Sequence, residues 1–228
     1  MKNLVIVNAG LSTPSTTFDV ASGVAAAVER QMNVQVEVID LRSLAGDLAT
    51  FMTTMIPSQA LSQAHSLLES ADAIIAATPT FQGSYSGLFK MFFDTVDKTA
   101  IAGIPVTLVA TAGTARHSLV LDFAMRPLFA YLQATVLPTG VFAATDDFGG
   151  ADSLTTRYER AATEIVAALA GATGSSASSA TSASPSLSPG PSPDTDSAGA
   201  FGAAFDDAFE LDGDTFHSLL NNHTGATS

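Results

Sequence analysis

The chain is 228 residues long, carries a formal net charge of −13 and contains no cysteine. The missing cysteine excludes disulfides, thiolate catalysis and cysteine-bound metal, and the acid excess argues against nucleic acid and anionic membrane as partners. No stretch reaches the ~18 apolar residues of a membrane span, and Met1-Lys2-Asn3 enters a β-like run without a signal-peptide layout, so a cytoplasmic protein is expected.

Residues 4–7 read as a short buried strand that ends in Asn8-Ala9-Gly10. Residues 19–30 place Val20, Val24, Ala27 and Val28 at helical spacing. Residues 34–41 alternate Val34, Val36 and Val38 with polar neighbours, as an outer strand does. A helix is predicted over 57–70, where Pro57 suits the first turn. The apolar run 73–77 predicts a fully buried strand. A helix follows over 86–98, with Leu88, Met91, Phe92 and Val96 along one side. Then come a strand over 104–111, a helix over 118–134, a strand over 136–143 and a helix over 153–169. All nine Lys and Arg and fifteen of the 22 acids precede residue 171. Residues 1–170 therefore carry −6 and suffice for one domain with one core. Residues 171–200 hold ten serines and four prolines. Such a segment has too little apolar area to offset its ordering entropy, and a disordered linker is expected. Residues 201–228 form an acidic, aromatic-containing C-terminal segment. Phe201, Phe205 and Phe209 share one face of a possible helix, followed by Phe216, Leu219 and Leu220. Both a docking segment and a weakly ordered tail fit that pattern.

Five nearly continuous apolar strands alternating with helices imply an α/β fold with a parallel sheet covered on both faces. Right-handed crossovers make it a doubly wound, three-layer, flavodoxin-like fold with strand order 2-1-3-4-5. Its ligand belongs at the carboxyl ends of the strands, where the winding reverses between strands 1 and 3.

Three loops meet at that place. The first is Gly10-Leu11-Ser12-Thr13-Pro14-Ser15-Thr16-Thr17. Hydroxyls at a helix start bind phosphate without a lysine; the same residues serve equally as an ordinary N-cap. The loop has neither the Gly-Lys-Ser/Thr of a Walker sequence nor Gly-x-Gly-x-x-Gly, which favours a monophosphate over a dinucleotide held in the Rossmann manner. The second loop is Pro79-Thr80-Phe81-Gln82-Gly83-Ser84-Tyr85-Ser86-Gly87. Pro79 stiffens the exit from the sheet, Gly83 admits close approach, and Ser84 and Ser86 supply a donor and a cap. Phe81 or Tyr85 would lie beside a flat ring, or both would pack into the core. The third loop is Thr111-Ala112-Gly113-Thr114-Ala115-Arg116-His117-Ser118. His117 is a pocket residue or a helix-start histidine, and Arg116 meets a second nucleotide's phosphate or faces water.

Two long segments carry a resemblance. One is Ala77-Thr78-Pro79-Thr80-Phe81 followed by Ser84-Tyr85-Ser86-Gly87-Leu88-Phe89-Lys90. The other runs from Ala110-Thr111-Ala112-Gly113-Thr114-Ala115-Arg116-His117 through Asp122-Phe123-Ala124-Met125-Arg126-Pro127-Leu128 to Gly140-Val141-Phe142-Ala143. Residues 1–170 thereby resemble the NADPH-dependent FMN reductases, and among them the flavin reductases that serve alkanesulfonate and other luciferase-like monooxygenases. The resemblance implies that Ser12, Ser15, Thr16 and Thr17 hold the FMN phosphate. It implies that Pro79, Thr80, Phe81, Gln82, Gly83 and Ser84 line the isoalloxazine. Thr111, Gly113, Thr114 and His117 would border the flavin and the nicotinamide approach. It also implies a homodimer or homotetramer, NADPH as hydride donor (the residues themselves do not separate NADPH from NADH), and a monooxygenase as recipient of reduced flavin. Two departures stand: Gly10-Leu11 replaces the family's frequent Gly-Ser, and Phe123 replaces a tyrosine associated in the alkanesulfonate-linked enzymes with a π-helical bulge.

No paired carboxylates, Ser-His-Asp order or metal-ligand cluster occurs in the loops, and no catalytic side chain or metal is expected. Flavin-mediated hydride transfer needs neither, because the cofactor carries the chemistry. An FMN-bound quinone or azo-type reductase and a flavodoxin-like electron carrier are the alternative readings. The carrier fits less well, since the chain has no tryptophan and concentrates acids in its tail.

Overall fold

The computed structural model describes residues 1–149 and 151–174. Of the expected linker, residues 171–174 continue the last helix; the rest of it and the C-terminal segment 201–228 lie outside the described residues. Strands β1 (Lys2–Asn8), β2 (Val34–Asp40), β3 (Ala73–Phe81), β5 (Pro105–Ala112) and the pair β6 (Thr135–Val136) and β7 (Val141–Ala144) form the parallel sheet. Their order is β2-β1-β3-β5-β6, with β7 also beside β5. This is the expected 2-1-3-4-5 sheet with its fifth strand in two pieces. A seventh strand, β4 (Ser84–Tyr85), folds back antiparallel on the end of β3.

Alternate residues along each strand feed two cores. On one face Val5, Val7, Ile74 and Leu108 pack against α2 (Ala45–Thr54), α3 (Gln59–Glu69), α4 (Gly87–Asp94) and α5 (Arg126–Tyr131) through Leu48, Leu61, Phe89 and Phe129. On the other, Leu4, Ile6, Ile75 and Val109 meet α1 (Thr16–Glu29) and α6 (Ala151–Gly174) through Val20, Val24, Ala161 and Ile165. Gly23 lets α1 and α6 approach closely: a Cβ there would stand 2.5 Å from the Tyr158 ring. No described helix is long and apolar enough to cross a membrane.

Three elements differ from the sequence reading. Helix α2 has a short apolar face, burying Leu48 fully with Phe51 packed partly buried against the same core, and its Thr50 and Thr54 hydroxyls donate to carbonyls four residues back. The helix expected over 118–134 is instead a short 3-10 turn (Ala115–His117), a π-helical segment (Leu121–Met125) and α5. Pro127 explains the break, because it has no N–H and its ring crowds the carbonyl four residues back. The N–H of Arg126 correspondingly reaches Leu121, five residues back. The π segment forms with Phe123 in it, 77% exposed. The last strand is interrupted at Pro138, which cannot donate to the ladder. The next residue, Thr139, gives its N–H and hydroxyl to Glu164 of α6, at 2.8 and 2.5 Å.

Candidate functional site

A cleft of about 450 Å³ opens at the carboxyl ends of the parallel strands. Four loops wall it. The loop after β1 supplies Leu11, Ser12, Thr16 and Thr17; the end of β3 supplies Pro79, Thr80 and Phe81. The end of β5 gives Thr111, Ala112 and Gly113, and the turn after β7 gives Thr145 and Phe148. None of these side chains is ionisable. Leu11, Phe81 and Phe148 are each between 44 and 48% exposed, so the cleft mouth carries uncovered apolar surface.

The first loop is built by short polar bonds. Asn8, buried at the end of β1, accepts from the Gly10 N–H at 3.0 Å. A Cβ at Gly10 would fall 2.0 Å from Ser15 Oγ, so any larger residue there would displace that hydroxyl. Ser15 caps α1 by accepting from the Phe18 N–H at 3.2 Å. The N–H groups of Thr16 and Thr17, orphaned like those of any helix start, have no partner among the described residues. The Thr17 and Thr111 hydroxyls share a buried 2.7 Å hydrogen bond, which ties the first loop to the third.

The segment after Phe81 is a hairpin rather than an open loop. Phe81 pairs with Ser84 and Thr80 with Tyr85. The two residues between them, Gln82 and Gly83, have φ of +51° and +76°, the left-handed pair that a type I′ turn demands. Thr80 Oγ1 is buried in the cleft wall without a hydrogen-bond partner among the described residues.

The structure therefore brings Ser12, Thr16, Thr17, Pro79, Thr80, Phe81, Thr111 and Gly113 of the expected residues into one cleft. Six others do not line it. Ser15 is engaged as the helix cap. Gln82, Gly83 and Ser84 form the hairpin turn and its return strand. Thr114 caps the 3-10 turn, its hydroxyl accepting from the Arg116 N–H at 3.4 Å. His117 joins Gly83, Arg116, Leu119, Val120 and Phe123 around a neighbouring cleft. Thr145 and Phe148 are additions that sequence reasoning missed; their signal was their place just beyond the fifth strand. Asp147 positions their turn. It accepts from the Ala144 N–H at 2.8 Å and from Arg157 Nη2 at 2.7 Å, while Arg157 Nη1 donates to the Phe142 carbonyl at 2.6 Å. The Arg157 bond, helped by the Ala144 N–H, holds the Asp147 carboxyl below the usual carboxylate range.

Comparison with known proteins converges with this geometry. The family described as NADPH-dependent FMN reductase matches residues 1–149. An FMN reductase (NADPH) of Pseudomonas aeruginosa is 40% identical over 146 residues, covering 64% of this chain and 78% of the relative. The NADH-dependent FMN reductase SfnE of Pseudomonas putida is 38% identical over 141 residues, covering 62% and 76%. Among solved structures, an oxidoreductase from Corynebacterium diphtheriae is 47% identical with a TM-score of 0.71, covering 75% of this chain and 98% of its own.

Proposed function

The chain belongs to the NADPH-dependent FMN reductase family, and from that membership we propose how its strand-end cleft is used. The protein is an NAD(P)H-dependent FMN reductase, an oxidoreductase. When bound, FMN supplies the acceptor for a hydride from the reduced nicotinamide.

The cleft fits that group on three counts. The free N–H groups of Thr16 and Thr17, with the Ser12 hydroxyl, suit a phosphate at the positive end of α1. The unpaired Thr80 hydroxyl suits a polar edge of a ring. Pro79, Phe81, Gly113 and Phe148 offer apolar and backbone surface for a flat heterocycle. In this reading Ser12, Thr16 and Thr17 hold the phosphate, and Pro79, Thr80, Phe81, Thr111 and Gly113 line the isoalloxazine. Arg116 and His117, in the neighbouring cleft, face the incoming coenzyme. The single observation that carries the reading is a cleft walled by four strand-end loops with hydroxyls and apolar groups and no ionisable side chain. Such walls bind and orient; they shield the transfer from water and leave the chemistry to the cofactor.

The enzyme supplies reduced flavin to a monooxygenase, acts in the cytoplasm and assembles as a homo-oligomer. The resemblance of its second and third loops to monooxygenase-linked reductases supports the first of these. Steady-state assays with NADPH and NADH against free FMN test the reading. Turnover that rises with free FMN is expected; turnover confined to a quinone or dye overturns it.

A further inference from the structure

Arg157 of α6 lines neither the strand-end cleft nor the neighbouring cleft of Arg116 and His117, yet it fixes one wall of the first. Around it, Leu154, Ala161 and Ile165 seat α6 in the core. From that base its guanidinium reaches two places at once. Nη1 donates to the Phe142 carbonyl at 2.6 Å, and Nη2 donates to Asp147 at 2.7 Å. One end of the fork is thus anchored on β7 and the other on the turn that follows it. The turn carries Thr145 and Phe148 into the cleft. Phe148 belongs to neither hydrophobic core and is nearly half exposed. Apolar packing therefore does not decide where its ring stands. The hydrogen bonds of Asp147 do, with the Ala144 N–H as its second donor at 2.8 Å. Bridging two backbone segments in this way suits arginine, whose planar fork holds both donors in one geometry, and not lysine.

We propose that Arg157 is a positioning residue for the flavin: acting through Asp147, it holds Phe148 in place as the β7-side wall of the cleft and so sets how firmly FMN is retained. The inference rests on the FMN reading above. A ring fixed before the ligand arrives costs no ordering when the ligand binds, whereas a ring on a loose turn must be ordered at each binding event. Arg157 touches none of the cleft residues that would meet the flavin, so its influence falls on binding and not on the hydride step.

The test uses the full-length protein and three variants: Arg157→Gln, Phe148→Ala and the two together. KM and kcat are measured with FMN and with NADPH varied, and the FMN dissociation constant is measured by quenching of flavin fluorescence. Each single variant should raise the KM and dissociation constant for FMN by about fivefold, the worth of one fixed aromatic contact. The kcat and the KM for NADPH should stay within about twofold of wild type. The double variant should show the same rise of about fivefold and not the product of about 25-fold, because an arginine that acts through Phe148 has nothing left to position. Arg157→Lys, which keeps the charge but loses the fork, should behave as Arg157→Gln does. The proposal is overturned if the two effects multiply, if Arg157→Gln leaves the FMN values unchanged, or if it lowers kcat alone. Should Arg157→Gln fail to fold, Asp147→Asn weakens the other end of the same bond and is held to the same criteria. A wild type that neither binds nor reduces FMN would sink the reductase reading itself; one that does both while the Arg157 variants match it sinks the positioning role alone.

Discussion

Two threonine hydroxyls are buried without partners among the described residues, Thr80 and Thr107, and their places give them opposite meanings. Thr107 sits in the middle of β5, opposite Ile75 of β3, with no ligand within reach of its core position. An unpaired buried hydroxyl is a net cost. Thr107→Val keeps the shape and removes that cost, so thermal unfolding should show a gain of about 1 kcal/mol with flavin turnover unchanged. Thr80 lines the cleft, where its cost in the free protein is recovered on binding. Thr80→Val should raise the KM for FMN by roughly fivefold, the equivalent of a ~1 kcal/mol hydrogen bond, with no loss of thermal stability. At this scale the sequence displayed the hydroxyls but not their engagements. Ser15 and Thr17 looked alike in the string, yet one caps a helix and the other bonds Thr111 across 94 residues. Only tertiary placement separates such cases.

Elements were legible where burial is two-sided. The runs at 4–7, 73–77 and 104–111 are nearly all apolar because helices cover both faces of the sheet. Helix α2 was not legible, since it buries one residue fully. The π segment was hidden because Pro127 acts backward on a pattern that is still apolar at helical spacing. Packing between elements makes a direct test. Gly23→Ala would drive a methyl into the Tyr158 ring, and α1 and α6 would have to part; a loss of about 1–3 kcal/mol is expected in denaturant unfolding. Asp147 provides a second test. Its folded pKa lies below that of the unfolded chain, so its contribution is present above the unfolded value and lost as pH falls through the folded one. Asp147→Asn should therefore be less stable than wild type at neutral pH. The gap should close as pH drops below ~4, the ordinary carboxylate range. Urea midpoints measured across that range would show it, and a gap that persists in acid would rule it out.

At the scale of the molecule, the doubly wound order dictates that every parallel strand delivers its carboxyl end to one side. Three of the four loops that use this were visible as Gly/Ser/Thr punctuation. The fourth was not, because Thr145-Asp146-Asp147-Phe148 reads as an acidic, solvated stretch until Arg157 draws Asp147 down and leaves Phe148 at the cleft mouth. The resulting walls carry no formal charge, and that has a consequence for electron energetics. A binding site shifts a redox potential only so far as it binds one oxidation state better than the other. Neutral, largely apolar walls desolvate the more negative reduced flavin without offering it a cation, and so hold it less well than the neutral oxidised form. The midpoint potential of FMN measured in the protein should accordingly lie below its value in water, and an upward displacement in spectroelectrochemical titration would contradict this. A site of that kind lets reduced flavin depart more readily than the oxidised form.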